Sequence, residues 1–184
     1  ALMKLFQFRV LRLQIICALL MVFGFLPALS GCGEIAEGFG FDDGPGNVEI
    51  ARIDTPKLDK GKTLRRIGFG SCADQSKSQN IWTTLLNADP DAFVFMGDNV
   101  YGDVTSPDLR ELIGAYNDLS ASRPFTRFAD DVPILPIWDD HDYGLNDGGA
   151  DFEHRELSEQ IFLSFWDVDG DDPRRSRDGL YRSF

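Results

Sequence analysis

The chain has 184 residues and carries 30 Asp and Glu against 18 Lys and Arg, which gives a formal net charge of −12. This acidic charge argues against nucleic acid as a partner, because binding to a phosphate backbone requires clustered Lys and Arg side chains. The length fits one domain with a single hydrophobic core.

The first 31 residues predict a secretion signal. Three basic side chains precede an apolar run, residues 13–26, which is too short for a comfortable membrane span. The run leads into the sequence LSGC, residues 29–32, which resembles the cleavage site of bacterial lipoproteins. That resemblance implies that Cys32 becomes the lipidated first residue of the mature chain. The mature protein is then expected to be exported and anchored by its lipid on the periplasmic or cell-surface side of a membrane. An uncleaved signal anchor is the alternative.

Cleavage would also change the charge, because residues 1–31 hold three positive charges and no negative ones, which leaves −15. Residues 32–62 are rich in Gly, Asp and Pro without periodicity, and this composition predicts a flexible tether. Residues 63–184 predict a folded domain. Residues 179–184 read as a strand that is cut short, so we expect a fragment of a longer protein and a domain that is incomplete at its C-terminus.

Within the domain, apolar runs alternate with helical periodicities. Strands are predicted at residues 64–69, 92–96 and 134–138, and helices around residues 81–86, 106–116 and 153–166. Ser106 is the expected N-cap of the second helix, with Pro107 at its first position. The inward face of this helix is predicted to carry Leu109, Leu112, Ile113 and Tyr116. Strands that alternate with helices predict an α/β domain, a layered and mainly parallel sheet with βαβ crossovers.

Each predicted strand ends in a polar cluster. The first ends in GSC at residues 70–72, the second in GDNVYGD at residues 97–103, and the third in DDHD at residues 139–142. Because the carboxyl ends of parallel strands share one edge of a sheet, where α/β folds bind ligands, the three clusters are expected to converge. With Cys32 lipidated and the signal removed, Cys72 has no partner for an intramolecular disulfide and needs another explanation.

The residue types in these clusters predict a metal site. The pKa values of carboxylates, a thiol, a phenol and an imidazole are strongly shifted when these groups lie close together. A multivalent cation among them offsets the repulsion between their negative charges. Thiolate and phenolate ligands favour a transition metal such as ferric iron, whereas a position with only oxygen ligands suits Ca²⁺ or Mg²⁺. Taken singly, the residues have ordinary explanations. Cys72 would be a buried apolar residue, Asp98 a cap, Tyr101 a core aromatic, Asp139 an acid that orders its loop, and His141 a hydrogen-bonded histidine.

The three clusters together carry a more specific resemblance. The segments FGSC, FMGDNVYGD and WDDHDYGLND are similar to successive motifs of the alkaline phosphatase D (PhoD-like) metallophosphatases, in the calcineurin-like metallophosphoesterase superfamily. The similarity covers residues 64–184, the N-terminal part of such a catalytic domain, and it implies a metallophosphoesterase-like sheet. A later Asp-x-His motif of that family has no counterpart in this sequence.

The resemblance implies a set of metal ligands. Cys72 would supply a thiolate to Fe³⁺, Asp98 would bridge this iron to a second metal such as Ca²⁺, and Tyr101 would bind the iron as a phenolate. Asp140 stands where the superfamily has a metal-binding asparagine, so Asn146 is the expected amide ligand.

The resemblance also implies a reaction, the hydrolysis of a phosphate ester by metal-activated hydroxide. His141 would contact the phosphoryl group or protonate the leaving oxygen, while Asp140 or Asp142 would orient its other ring nitrogen. A second hypothesis is a non-catalytic surface lipoprotein whose acidic loops bind Ca²⁺. A third keeps the fold and makes the protein a nuclease or a phospholipase.

Overall fold

The computed structural model describes residues 49–183, which form an α/β domain around a three-stranded parallel sheet. The strands are β1 (Ile67–Gly70), β2 (Ala92–Met96) and β3 (Ile134–Ile137), and they lie side by side in the order β1-β2-β3. Phe69 pairs with Val94 across the first interface, and Met96 pairs with Ile137 across the second. The predicted parallel sheet with βαβ crossovers is confirmed.

Helices connect the strands and follow the last one. They are α1 (Ile81–Asn87), α2 (Arg110–Ala121), α3 (Arg123–Asp131), α4 (Asp140–Tyr143), α5 (Arg155–Phe165) and a 3-10 turn at Pro173–Arg175. Helix α1 joins β1 to β2, and α2 with α3 joins β2 to β3. The sequence predicted α1, α2 and α5 but missed α3, which begins directly after α2, and the single turn α4.

The hydrophobic core lies on the sheet face that carries Phe93 and Phe95. Trp82 of α1 is in its middle, with ring centroids 5.6 Å and 5.4 Å from those two residues. From α3, Phe125 and Phe128 lie 5.1 Å and 5.2 Å from the same indole. Three of these four contacts are edge-to-face and the one with Phe128 is tilted, and aromatic contacts of this kind add to the free energy gained from burying the rings. This packing holds α1 and α3 against the face of the sheet. The carboxyl ends of the strands continue into loops.

Helix α2 begins later than predicted. Ser106 does not act as its N-cap, because the Ser106 hydroxyl donates to Glu111 at 2.6 Å instead of accepting from the backbone. The hydrogen bonds from Ser106 and Thr105 lower the pKa of Glu111 to about 2. Leu109 precedes the helix with φ of 52°, so the helix starts at Arg110. The predicted inward face is confirmed, since Leu109, Leu112, Ile113 and Tyr116 are all buried.

Part of the predicted tether, from residue 49 onward, is described by the structure and makes hydrogen bonds to the domain. Ile53 donates its N–H to the carbonyl of Phe165 at 2.7 Å, and Ala51 donates to Asn117 Oδ1 at 2.7 Å. Residues 49–53 therefore pack against the domain. The predicted signal and Cys32 lie outside the described residues. Within residues 49–183, no helix has the length and apolar character needed to cross a membrane.

Candidate metal centre

The loops that follow the three strands meet at one edge of the sheet. Cys72 donates its N–H to the carbonyl of Gly97 at 3.4 Å, and Ala73 donates to the carbonyl of Asp98 at 3.0 Å. These bonds join the first loop to the second. A Cβ added to Gly97 would lie 2.6 Å from Cβ of Asp139, so the second loop touches the third. The convergence expected from the parallel sheet is therefore present.

Three side chains at this meeting point form a group that could hold a cation. One potential ligand atom from each of Asp98, Asp140 and His141 lies within 4.8 Å of the other two. Asp98 is buried, while Asp140 and His141 are half-buried. Two carboxylates at this separation repel each other unless a cation or a proton lies between them.

Two more of the predicted ligands contact the same carboxylate. Asp98 Oδ2 accepts a hydrogen bond from the Tyr101 hydroxyl at 3.1 Å and lies 3.5 Å from Sγ of Cys72. The Tyr101 ring also stacks on the His141 ring, with centroids 4.2 Å apart. Burial, together with the hydrogen bonds to Cys72 and Asp98, raises the pKa of Tyr101 above its ordinary value. Cys72, Asp98, Tyr101, Asp140 and His141 are thus neighbours.

The chemistry of Asp98 fits a cation. Its Oδ1 atom is buried and has no hydrogen-bond partner among the described residues. A buried carboxylate oxygen without a donor is costly, and a bound cation would satisfy it. The backbone at this edge is also unusual. Cys72 has φ of 62° and Asp98 has φ of 47°, which is the left-handed region that residues other than glycine seldom occupy. Such conformations cluster at functional sites.

His141 is oriented by Asp103. Its Nδ1 atom lies 2.8 Å from Asp103 Oδ1. Burial lowers the pKa of His141, but the hydrogen bond to Asp103 and nearby carboxylates outweigh that effect, and the net pKa is raised. The expectation that Asp140 or Asp142 orients this ring was wrong. Because Nδ1 faces Asp103, Nε2 is the nitrogen available to a ligand.

Asp140 is held as a carboxylate. Its Oδ2 accepts from the N–H of Asp147 at 2.5 Å, and its Oδ1 accepts from the N–H of His141 at 3.0 Å. The bond from Asp147 lowers the pKa of Asp140, with burial acting in the opposite direction and the positive character of His141 adding to the decrease. An acid with a lowered pKa is suited to bind a cation rather than to donate a proton.

The structure gives Asn146 a different contact. Its side chain is exposed, and its amide nitrogen donates to Asp147 Oδ2 at 2.8 Å. Asp147 in turn holds Asp140 through its backbone N–H. Asn146 is therefore near the group along the chain, and its role as a metal ligand stays a prediction.

Asp142 and Asn99 have roles that the sequence did not reveal. Both are fully buried, and the Asp142 carboxylate accepts from Asn99, Tyr116 and the N–H of Asp139. Burial raises the pKa of Asp142 to about 6, although the hydrogen bonds from Asn99, Asp139 and Tyr116 oppose the shift. The short helix α4 depends on the same acid, because Asp139 and Asp142 form a capping box around it. The spacing of two acids three residues apart, Asp139 and Asp142, is the feature of the sequence that could have predicted this capping box.

Comparisons with known proteins add no family. No protein-family model matches the chain, no curated protein matches it, and no solved structure matches it. The class defined by the fold and the site is an α/β domain with a candidate cation-binding group at the carboxyl edge of its sheet.

Proposed function

We propose that the protein is a metal-dependent phosphoric ester hydrolase of the alkaline phosphatase D type, acting on a phosphomonoester or phosphodiester. The observation that carries the proposal is the group of Asp98, Asp140 and His141, drawn from two strand-end loops. The contacts of Cys72 and Tyr101 with Asp98 support it, because they add a thiol and a phenol to an otherwise acidic site. The residues match the motifs that carry the family resemblance.

The donor set suits two kinds of metal. Cys72 and Tyr101 would hold ferric iron together with Asp98, because thiolate and phenolate favour a highly charged transition metal. Asp140 and the predicted ligand Asn146 offer oxygen donors, which would suit Ca²⁺. When bound, such cations polarise phosphoryl oxygens and lower the pKa of a bound water. Bound cations would also make the site locally positive within an acidic protein, whose net charge of −12, or −15 without residues 1–31, would otherwise repel an anionic substrate.

His141 would act on the substrate itself. Its raised pKa keeps a proton on the ring to higher pH than in a free histidine, so Nε2 is able to donate to a phosphoryl oxygen or to the leaving oxygen. Asp103 holds the opposite nitrogen at 2.8 Å and fixes the ring plane. Asp103 would therefore be a positioning residue that keeps Nε2 directed toward the phosphoryl group of the substrate.

The place of action in the cell belongs to the same proposal. A lipid on Cys32 would anchor the domain to a membrane on the exported side. The exported setting agrees with a role on phosphate esters outside the cytoplasm. Both ideas come from the sequence of residues 1–32 alone.

The experiment compares hydrolysis of p-nitrophenyl phosphate and bis-p-nitrophenyl phosphate by the purified chain, loaded with Fe³⁺ and Ca²⁺, before and after chelation. We expect hydrolysis that chelation abolishes and that falls at least a hundredfold in the double variant Cys72→Ser with Tyr101→Phe. Asp151→Asn is the matched control, since it removes an exposed acid from the neighbouring loop.

Two results would contradict the proposal. Absence of hydrolysis in a folded, metal-loaded protein that carries the whole catalytic domain would overturn the proposed enzymatic function. Metal binding that is unchanged in the Cys72→Ser and Tyr101→Phe double variant would indicate a site with oxygen and nitrogen ligands only. That result would favour a Ca²⁺-binding surface lipoprotein.

A further inference from the structure

One buried carboxylate connects the two loops that supply the candidate ligands. Asp142 is completely buried, and its Oδ2 accepts from the side-chain nitrogen of Asn99 at 2.9 Å and from the N–H of Asp139 at 3.1 Å. The N–H of Asn99 lies 3.1 Å from both carboxylate oxygens. On the other side, Oδ1 accepts from the Tyr116 hydroxyl of α2 at 2.8 Å.

These bonds are placed to control the distance between ligands. Asn99 directly follows Asp98, and Asp142 lies two residues from Asp140 and one from His141. Asn99 also donates its side-chain N–H to the carbonyl of Ile137, the last residue of β3, at 2.8 Å. The loop after β2 is therefore fastened to the loop after β3 through one amide and one carboxylate, both shielded from water.

We propose that Asp142, acting through Asn99, is a positioning residue that sets the separation of Asp98 from Asp140 and His141 and thereby the affinity of the site for a cation. Asp142 does not itself bind the metal, because its oxygens are occupied by donors from Asn99, Asp139 and Tyr116. The inference rests on the proposed metal site. It goes beyond that site by assigning its affinity to a residue outside the ligand set. Residues that orient metal ligands typically change affinity by 10- to 100-fold when they are altered.

A purely structural acid would behave differently. Removal of any one of its hydrogen bonds would lower the thermal midpoint, and the affinity for the cation would fall in proportion to that loss of stability. A positioning acid separates the two effects, because among the hydrogen bonds that Asp142 accepts only those from Asn99 join the loop after β2 to the loop after β3. The bond from Tyr116 joins Asp142 to α2 and is not part of that connection.

The experiment measures Mn²⁺ affinity by calorimetry, the electron paramagnetic resonance spectrum of bound Mn²⁺ and the thermal midpoint for the full chain and four variants. Asn99→Ala and Asp142→Ala are expected to weaken Mn²⁺ binding at least tenfold and to change the spectrum. Tyr116→Phe is the matched control. It removes a buried hydrogen bond to the same carboxylate, so it is expected to lower the thermal midpoint while affinity stays within threefold.

Asp142→Asn tests the role by rescue. Its amide oxygen can replace Oδ2 for Asn99 and Asp139, and its amide nitrogen can donate to the Tyr116 hydroxyl, which also accepts hydrogen bonds. The backbone N–H of Asn99 loses its hydrogen bond to Oδ1 but keeps the one to the amide oxygen, so affinity is expected to stay within threefold of the unaltered chain. If Asp142→Asn loses as much affinity as Asp142→Ala, the hydrogen bonds are not the cause and the inference is overturned.

The outcomes separate this inference from the proposed function. An unaltered chain that binds no Mn²⁺ would overturn the metal site itself. An unaltered chain that binds Mn²⁺, with Asn99→Ala within twofold of it, would overturn only the positioning role. Should Asp142→Ala fail to fold, the comparison of Asn99→Ala with Tyr116→Phe decides the question, because both variants keep the carboxylate.

Discussion

Asp103 and His141 face each other across two different loops, with Oδ1 of the acid 2.8 Å from Nδ1 of the ring. Asp103 follows β2 and His141 follows β3, so the contact exists only because parallel strands bring both loops to one edge. The acid is half-exposed, with 49% of its side chain accessible, whereas the imidazole is 15% accessible. The pair is thus open to solvent on the side of Asp103.

Asp103→Asn is expected to lower the pKa of His141. The change removes the hydrogen bond and the negative charge that hold the pKa above its ordinary value, while the burial that lowers it remains. NMR titration of the metal-free chain measures this directly, because the sequence contains two histidines and His154 serves as the internal reference. A His141 titration curve that does not move relative to His154 would rule out control by Asp103.

Tyr101 is expected to release a proton when ferric iron binds. Burial and the contacts with Cys72 and Asp98 raise the pKa of the phenol, so it is protonated at neutral pH in the metal-free chain. Binding as a phenolate therefore requires loss of that proton. Calorimetry in buffers of different ionisation enthalpy counts the protons released. Tyr101→Phe should release about one proton fewer, whereas Tyr143→Phe should match the unaltered chain. Equal release from all three proteins would exclude Tyr101 as a ligand.

Gly97→Ala is expected to disturb the contact between the second and third loops. Gly97 has φ of 95°, and an added Cβ would lie 2.6 Å from Cβ of Asp139. The combined strain and overlap should lower the free energy of unfolding by about 1–3 kcal/mol and weaken cation binding. Gly114→Ala is the control, because a Cβ there meets nothing within 4 Å in helix α2. Denaturant titration should show that variant unchanged or stabilised by up to about 1 kcal/mol.

The pair of Asp172 and Arg174 is expected to contribute stability that acid removes. Hydrogen bonds from Arg174 hold the pKa of Asp172 well below its ordinary range, with burial opposing them. The contribution is complete above the unfolded-state pKa of about 3.9 and is lost as pH falls through the lower folded value. Asp172→Asn should therefore destabilise the protein at pH 7, by roughly 1–3 kcal/mol, and less at pH 2.

Asp108 and Arg110 provide the matched control for that prediction. They have the same sequence spacing and the same pairing of Nε with Oδ1 and of Nη2 with Oδ2, at 2.9 Å and 2.7 Å, but both are exposed. Exposed pairs of this kind contribute little. Asp108→Asn should leave the free energy of unfolding unchanged at either pH. Equal losses from Asp108→Asn and Asp172→Asn would contradict the importance of burial.

The sheet was predictable because its strands are continuous apolar runs. Strand β2 has the predicted bounds, Ala92–Met96, and its neighbours differ from the prediction only at their ends. From the parallel order alone, the meeting of Cys72, Asp98 and His141 at one edge followed. The sequence therefore predicted which loops meet at the site, but not which side chains contact each other there.

Most of the remaining features depend on tertiary contacts that leave no local pattern. Helix α3 is an exception, because Phe125, Phe128 and Ala129 are buried and lie at helical spacing, but the helix has only nine residues and a single residue separates it from α2. Ser106 and Pro107 have the local signature of a helix start, but Glu111 captures the serine hydroxyl. Which acid would face His141 was also undecided in the sequence. Asp142 is nearer along the chain, but it is turned into the interior.

The most direct measurement is anomalous diffraction from crystals of the chain grown with Mn²⁺. The predicted result is a peak of anomalous density within bonding distance of the Asp98 and Asp140 carboxylates and beside the His141 ring. The contradicting result is density that is absent from this group, or that lies elsewhere, in crystals whose loops keep the arrangement described above.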